Sequence, residues 1–489
     1  MPVWSRWGVR SRKGHASRLI RFDSIFASGN ARWISGHSQC VLFRLFQGGT
    51  KLRKIRSFRV VSAIGILGIS ALVSSSSFAA SAATSQTKSS SNPCAHFPKG
   101  PINIAAFGPF SGPSASTGER GILPGLKVGT YEVNAGGGVC GNQFVQVVQD
   151  SRGDPADAIP AAYQLIATHH LNGIIGLDSE TAVSTARIFN AAKIVTMTTA
   201  GATQLNNLRM KYVYRTYPPD SVEAYAMVAA AFEKRWKRAV VFYDNTSGDQ
   251  SAVPPLLYSY RHHGGKILAN MTVTEDEPSY ETYIQKIARL KPQVIFFEAD
   301  VQTAGTFFGE LQQSSLGLKT PIIQGSTEPL MVQAIAAATH LTNAQISKFD
   351  FATQPQTKNA VTYASFAHWF QLANNGLSPY NGYNAANFDG INLMALAMYL
   401  AGSPDPTKYV KYIEQLTNNP KGTPCIDYAS CLALLKRHKT IFYNGAAGPH
   451  PFNKFHWSTG QWAVAIPGPQ GNGVVIKQIP AEQLLKLSQ

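Results

Sequence analysis

From residue 102 to residue 324 the chain alternates short apolar runs with stretches of helical periodicity. The segment from Gly173 to Thr203 sets the pattern. Ile174-Ile175-Gly176-Leu177 is a continuous apolar run of the length expected of a buried parallel strand. Asp178-Ser179-Glu180-Thr181 then supplies helix-start residues, and Ala182, Ala186 and Phe189 repeat at helical spacing behind them. Ile194 to Met197 reads as the next strand and opens into the small-residue turn Thr198 to Thr203. Two successive strand–helix units thus bring hydroxyls and free backbone N–H groups to one sheet edge, where open parallel sheets hold ligands. A helix N-terminus fringed by Ser and Thr suits a carboxylate or another small anion. Ordinary helix capping explains the same hydroxyls equally well.

The alternation continues on both sides. Strands are predicted at Ile102–Phe107, Gln143–Gln149, Ala239–Tyr243, Lys266–Val273, Gln293–Glu298 and Pro321–Gln324. Helices are predicted from the 108–118 loop to about Glu132, over Pro155–His169, up to Trp236, after Asp244–Asp249, and over Tyr280–Leu290 and Gln302–Ser314. Strands separated by 10–15-residue helical spans indicate parallel α/β sheets, and two such sets in succession indicate two lobes.

Composition adds location. With 489 residues, 44% hydrophobic and 15% charged, the chain is globular and long enough for two or three domains. The formal charge of +17 is unevenly placed: residues 1–83 hold 13 Lys and Arg against Asp23 alone, which leaves +5 for the rest. With no dense basic run beyond residue 83, nucleic acid is not an expected partner. The basic segment Lys51–Arg56, the apolar run Val60–Val73 and an A-x-A pattern ending at Ala82 read as an export signal. That run is too short for a comfortable membrane span, although an uncleaved anchor is the competing reading. The roughly fifty residues ahead of the signal are long for a basic region. Because no Met lies between Met1 and Met197, a non-Met start near residue 50 is expected. Residues 84–100 form a Ser/Thr-rich linker.

Export suits the cysteines. Beyond Cys40 there are Cys94, Cys140, Cys425 and Cys431, which allow three pairings in an oxidising compartment. Cys94 and Cys140 each precede a predicted strand, and parallel neighbours start at one edge, so Cys94–Cys140 is the natural pair. Cys425–Cys431 then closes a local loop. None forms a C-x-x-C pair with a second ligand pair at zinc spacing, so no metal is expected. Asp150, Asp154 and Asp157 lack the glycine and final glutamate of a calcium loop and read as turn and cap residues. No G-x-S-x-G, H-E-x-x-H, P-loop or G-x-G-x-x-G occurs, so neither a catalytic set nor a cofactor is expected. The pairs His169-His170 and His262-His263 read as solvated. His450, His456, Trp369, Trp457 and Trp462 read as packing residues.

Over residues 101 to 470 the chain resembles the extracytoplasmic substrate-binding proteins of branched-chain amino-acid ABC transporters, of the type I periplasmic binding fold. The marks are Pro109-Phe110-Ser111-Gly112 with Gly118, Val133 to Gly138, Asp150 with Asp154-Pro155, and Gly176 to Thr181. Ala200 to Thr203, Tyr214-Arg215-Thr216 with Pro219-Asp220, and Gly445 to Pro449 continue the series. The resemblance implies two doubly wound parallel-sheet lobes joined by a three-segment hinge and closing on ligand like a clamp. Lobe 1 would comprise 101–219 plus 355–450, and lobe 2 would comprise 220–354 plus 451–489. It places a ligand's carboxylate and amine at Ser179, Ala202 and Thr203, with Thr117, Ser111 and Thr181 nearby. Ser247 and the loop of Thr327 and Glu328 would close from lobe 2.

Two positions depart from the pattern. Thr327 stands where an acidic partner for a ligand's ammonium is common, with Glu328 one residue later, and Ser247 replaces a common aromatic. An unpaired ammonium in a dry cleft is costly, so an amide, a small carboxylate or an aromatic acid stays open beside an amino acid. The resemblance implies a monomer outside the cytoplasm that delivers a small polar metabolite to ABC permease subunits. The alternatives are a sensing clamp that presents ligand occupancy to a receptor, and a secreted α/β hydrolase using Ser179 or Ser247.

Overall fold

The computed structural model describes residues 92–489 apart from 113, 326–327, 356–359, 380 and 470–472. The signal or anchor reading of residues 1–83 and residues 84–91 of the linker lie outside the described residues. Among the described residues no helix is long and apolar enough to cross a membrane.

Two parallel-rich sheets organise this part of the chain. The first contains β1 (Ile102–Gly108), β2 (Phe144–Asp150), β3 (Gly173–Gly176), β4 (Thr196–Thr198) and β5 (Val213–Arg215), in the order β2-β1-β3-β4-β5, all parallel. The chain then builds β6 (Arg238–Asp244), β7 (Lys266–Val273), β8 (Val294–Glu298), β9 (Ile322–Gln324) and β10 (Asp350–Pro355). A small sheet of β11 (Thr423–Cys425), β12 (Ile441–Gly445) and β13 (Gly448–Pro449) follows. Finally β14 (Trp462–Pro467) and β15 (Gly473–Ile479) join the second sheet antiparallel, giving β15-β14-β10-β9-β8-β6-β7.

The strand sequences explain their places. The β8 run Val-Ile-Phe-Phe-Glu is buried throughout, as a strand covered by helices on both faces must be. At the edge of the first sheet, β2 exposes Val145 and Val148. The chain passes between the two sheets three times. It crosses from β5 into the helix Asp220–Glu233, which packs on β10 and β14, and from β10 back to helices over the first sheet. The last crossing runs from β13 into β14.

Helix Gly382–Ala401 lies against β3, β4 and the helix Leu123–Ala135, with 16 of its 20 residues buried. Such burial leaves no polar stripe, so its helical period is faint.

Two predicted boundaries move for local reasons. The strand expected from Ile194 begins at Thr196, because Lys193 adopts a left-handed φ of 59° after the preceding helix. The helix expected to run unbroken to Glu132 contains a π-turn at Gly118–Ile122 before Leu123–Ala135. Pro124 has no N–H for the carbonyl four residues back, and a widened turn accommodates its ring. The disulfides Cys94–Cys140 and Cys425–Cys431 are both present, with Cα–Cα distances of 5.2 and 5.1 Å.

Candidate functional site

Loops at the C-terminal ends of β3, β6, β7 and β8 enclose a cavity where a water-sized sphere has about 110 Å³ of free movement. The space is larger than a single water requires and suits a small solute. Its position at the carboxyl ends of parallel strands is the ordinary ligand position of α/β folds.

Each lining acid comes from the start of a helix or the end of a strand. Asp178 and Glu180 flank the first residue of helix Ser179–Ala191. Asp220 and Glu223 come from the first turn of helix Asp220–Glu233. Asp244 ends β6, and Asp249 stands in the first turn of helix Ser247–His262. Glu275 follows β7, Glu298 ends β8, and Asp300 caps helix Val301–Gln313. Hydroxyls of Ser114, Ser116, Thr117, Ser179 and Thr199, together with Tyr383, complete the polar wall. Among the described residues nine carboxylates line the cavity and no Lys, Arg or His does.

Some of these acids have local duties. Asp244 accepts from Thr246 N at 3.1 Å, Thr246 Oγ1 at 2.8 Å and Asp300 N at 3.1 Å. Asp300 accepts from Gln302 N at 2.6 Å and Thr303 N at 3.2 Å, the duty of an N-cap. Asp178 Oδ2, Glu298 Oε2 and the second oxygen of Asp300, Oδ2, are buried with no N–H or hydroxyl partner, and Asp178 and Glu298 are only 6% and 7% exposed.

The crowding is visible in the acidities. Burial, then the neighbouring Asp178, pushes Glu180 up to about 8. Burial and Glu223 push Asp220 up to about 7, although Ser251 and Arg215 oppose the shift. Burial, with Asp244 and Asp300, raises Glu275 to about 7. Burial raises Glu298 and Asp249 well above the carboxylate range, reinforced by Glu223 and by Asp244 respectively.

Two glycines make the arrangement possible. A Cβ on Gly325 would stand 2.3 Å from Glu223 Oε1 and 2.4 Å from both Glu298 oxygens. A Cβ on Gly248 would stand 2.4 Å from Glu180 Oε1, which accepts the Gly248 N–H at 2.8 Å.

The structure divides the residues expected from sequence. Thr117 and Ser179 line the cavity. Ser179 Oγ accepts Gly201 N at 3.0 Å and Ala202 N at 3.2 Å, so the Ala202 N–H is already paired inside the protein. Thr203 bonds to Ser251 of helix Ser247–His262, through N to Oγ at 3.4 Å and through Oγ1 to the carbonyl at 3.2 Å. Neither Ala202 nor Thr203 reaches the lining. Thr181 is buried and donates to Asp178 Oδ1. Ser111 is exposed and donates to Asp150, a carboxylate that also accepts from Phe110 N and Arg152 N. Ser247 is exposed, and its neighbours Thr246 and Gly248 face the cavity instead. Thr327 and the side chain of Glu328 lie outside the described residues. The acids were missed from sequence, although Asp178, Asp244, Glu298 and Asp300 all sit at or just beyond predicted strand ends.

Residues 101–429 match the periplasmic binding protein family. Leu/Ile/Val-binding protein homolog 3 of Brucella melitensis is 22% identical over 268 residues, covering 53% of this chain and 71% of that protein. An amino acid binding protein of Pseudomonas aeruginosa is 20% identical over 319 residues, covering 64% and 82%. Among solved structures, the leucine-binding protein LivK of Thermotoga maritima superposes with a TM-score of 0.64 at 18% identity, over 78% of this chain and 99% of its own. A solute-binding protein from R. palustris in complex with benzoate gives 0.62 at 17%, over 78% and 96%. With two parallel-rich sheets, three crossings between them and a polar cleft at their strand ends, the chain belongs to the periplasmic binding protein family.

Proposed function

We propose that the protein is an extracytoplasmic capture clamp that holds a small polar solute between two lobes and hands it to the permease of an ABC transporter. Lobe 1 comprises 101–219 plus 355–450, and lobe 2 comprises 220–354 plus 451–489. The observation that carries this reading is the cavity, whose walls come from both: Thr117, Asp178 and Ser179 on one side, Asp244, Glu298 and Asp300 on the other. The Leu/Ile/Val-binding relatives favour an amino-acid-like solute. Against a carboxylate stand the internal pairing of Ser179 with Gly201 and Ala202 and the wholly acidic charge of the cavity.

Bonds between the lobes, Glu180 to Gly248 N and Thr203 to Ser251, bias the clamp toward closure. A solute that fits only the closed cavity draws the same equilibrium further. The double variant Glu180→Ala, Thr203→Ala is therefore expected to enlarge the radius of gyration in small-angle X-ray scattering while the circular dichroism stays unchanged. An unaltered scattering curve would count against a hinged clamp.

A further inference from the structure

The acids of the cleft are concentrated far beyond chance. Beyond residue 83 the chain has 26 Asp and Glu, from a total of 27 less Asp23, and 31 Lys and Arg, from 44 less 13. Nine of those acids, about a third, line one cavity, and among the described residues none of the cations does. Local bonds account for Asp244, and helix capping accounts for Oδ1 of Asp300 but not for its buried Oδ2. It does not account for Asp178 Oδ2 or Glu298 Oε2, each buried in the lining with no N–H or hydroxyl partner and set beside a second carboxyl, Glu180 and Glu223 respectively. Each carboxyl pair is satisfied internally only by retaining a proton, and an ammonium brought by the solute supplies the donors that replace it. The two belong to different walls: Asp178 precedes the first-sheet helix Ser179–Ala191, and Glu298 ends β8 of the second sheet. The lining also includes Ala252, Ala299, Val301 and the ring of Tyr383, groups suited to methylenes or, for the ring, to a cation.

We infer that the solute is a flexible organic dication, a diamine or polyamine, with one ammonium held at Asp178 and Glu180 and another at Glu298 and Glu223. This rests on the capture-clamp reading and assigns its ligand class. Each ammonium brings three donors and no acceptor, which matches walls rich in acceptors. The methylenes between the amines take contact from the apolar lining residues. A dication engaging one acidic group on each lobe draws the lobes together and relieves the repulsion within each group.

The test compares 1,4-diaminobutane with butylamine, which have the same four carbons and differ by one amine, by calorimetry on the full chain. Leucine, acetamide and calcium chloride serve as further probes. The second ammonium is expected to tighten binding about 10- to 100-fold, the worth of one charged hydrogen-bonding group. Glu298→Gln is expected to weaken diamine binding at least about 10-fold and to raise the melting temperature of the unliganded protein, because it removes one member of a mutually repelling group. A merely structural Glu298 would lower that temperature. Glu281→Gln, at an exposed position that opens helix Glu281–Leu290, is the control and should change neither quantity.

Equal affinity for butylamine and 1,4-diaminobutane, or diamine binding unaffected by Glu298→Gln, would overturn the inference. Stabilisation by calcium alone would assign the cluster of Asp244, Glu275 and Asp300, whose oxygens lie within 4.8 Å of one another, to a metal and overturn it as well. Binding of leucine or acetamide without diamine binding, with compaction in scattering, would overturn the dication and leave the clamp standing. If no probe binds and the cross-lobe double variant leaves the scattering unchanged, both readings fall.

Discussion

Asp389 shows how much one side chain can hold. It lies fully buried in helix Gly382–Ala401 and accepts from Tyr443 Oη at 2.8 Å, Ala446 N at 2.8 Å, Ala447 N at 2.7 Å and His450 Nε2 at 3.1 Å. The Gly445–Pro449 segment, noticed in the sequence only as a family mark, is thereby tied to the central helix of the first lobe. Replacement by Ala would leave several buried donors unpaired, at about 1–3 kcal/mol each. Asp389→Ala is expected to destabilise by about 3–5 kcal/mol in urea unfolding, with Asn intermediate; a loss below about 1 kcal/mol would show that the loop re-pairs elsewhere. At this scale the sequence was a partial guide. Ser179 was legible because helix-start chemistry is local. The exposure of Ser247 and the pairing of Thr203 with Ser251 were not, since both depend on how helix Ser247–His262 is seated against the first lobe.

Among elements, legibility follows burial pattern. Strands such as Lys266–Val273 were legible to the residue because apolar runs bounded by turns carry their own signal. Helix Gly382–Ala401 and the late strands β14 and β15 carried none, one being buried on nearly every face and the others pairing with a sheet built much earlier. The cysteines could be paired from sequence because one bridge joins adjacent strand starts and the other spans 6 residues. The bridges differ in expected worth. Closing a separation of 46 residues is worth about 4 kcal/mol by chain entropy, and closing one of 6 about 2 kcal/mol. Replacing Cys94 and Cys140 by Ser should therefore lower the urea midpoint more than replacing Cys425 and Cys431. The reverse order would mean that native-state contacts, not loop closure, set the contribution.

For the whole molecule the decisive quantity is charge placement. Formal charge beyond residue 83 is +5, yet the cleft is uniformly acidic. Glu180 at about 8 and Asp220 at about 7 keep their protons in the native state over a range where the unfolded chain has lost them. Glu132, buried beside Asp427 in the first lobe, acts in the same sense at about 8. Between about pH 4 and pH 8 the native state thus binds more protons than the unfolded one, and stability falls as pH rises through that window. Arg215, the buried cation beside Asp220, moderates the effect without cancelling it. Without ligand, the melting temperature is expected to decline from pH 5 to pH 8, and Glu180→Gln should flatten the decline. Diamine affinity should rise over the same range, with protons released on binding. A melting temperature that rises from pH 5 to pH 8 would contradict this account.

The three crossings between the sheets carry a consequence for how the molecule comes into being. Strand β14 sits between β10 and β15, so the second sheet lacks two of its seven strands until residues 462–479 have been synthesised. The first lobe waits as well, for helix Gly382–Ala401 and the loop that Asp389 holds. Neither half can mature on the ribosome until most of the other has been made, and a chain in that state is suited to being threaded through a translocase before it folds. The interleaving that makes the hinge also postpones folding until nearly the whole chain is available.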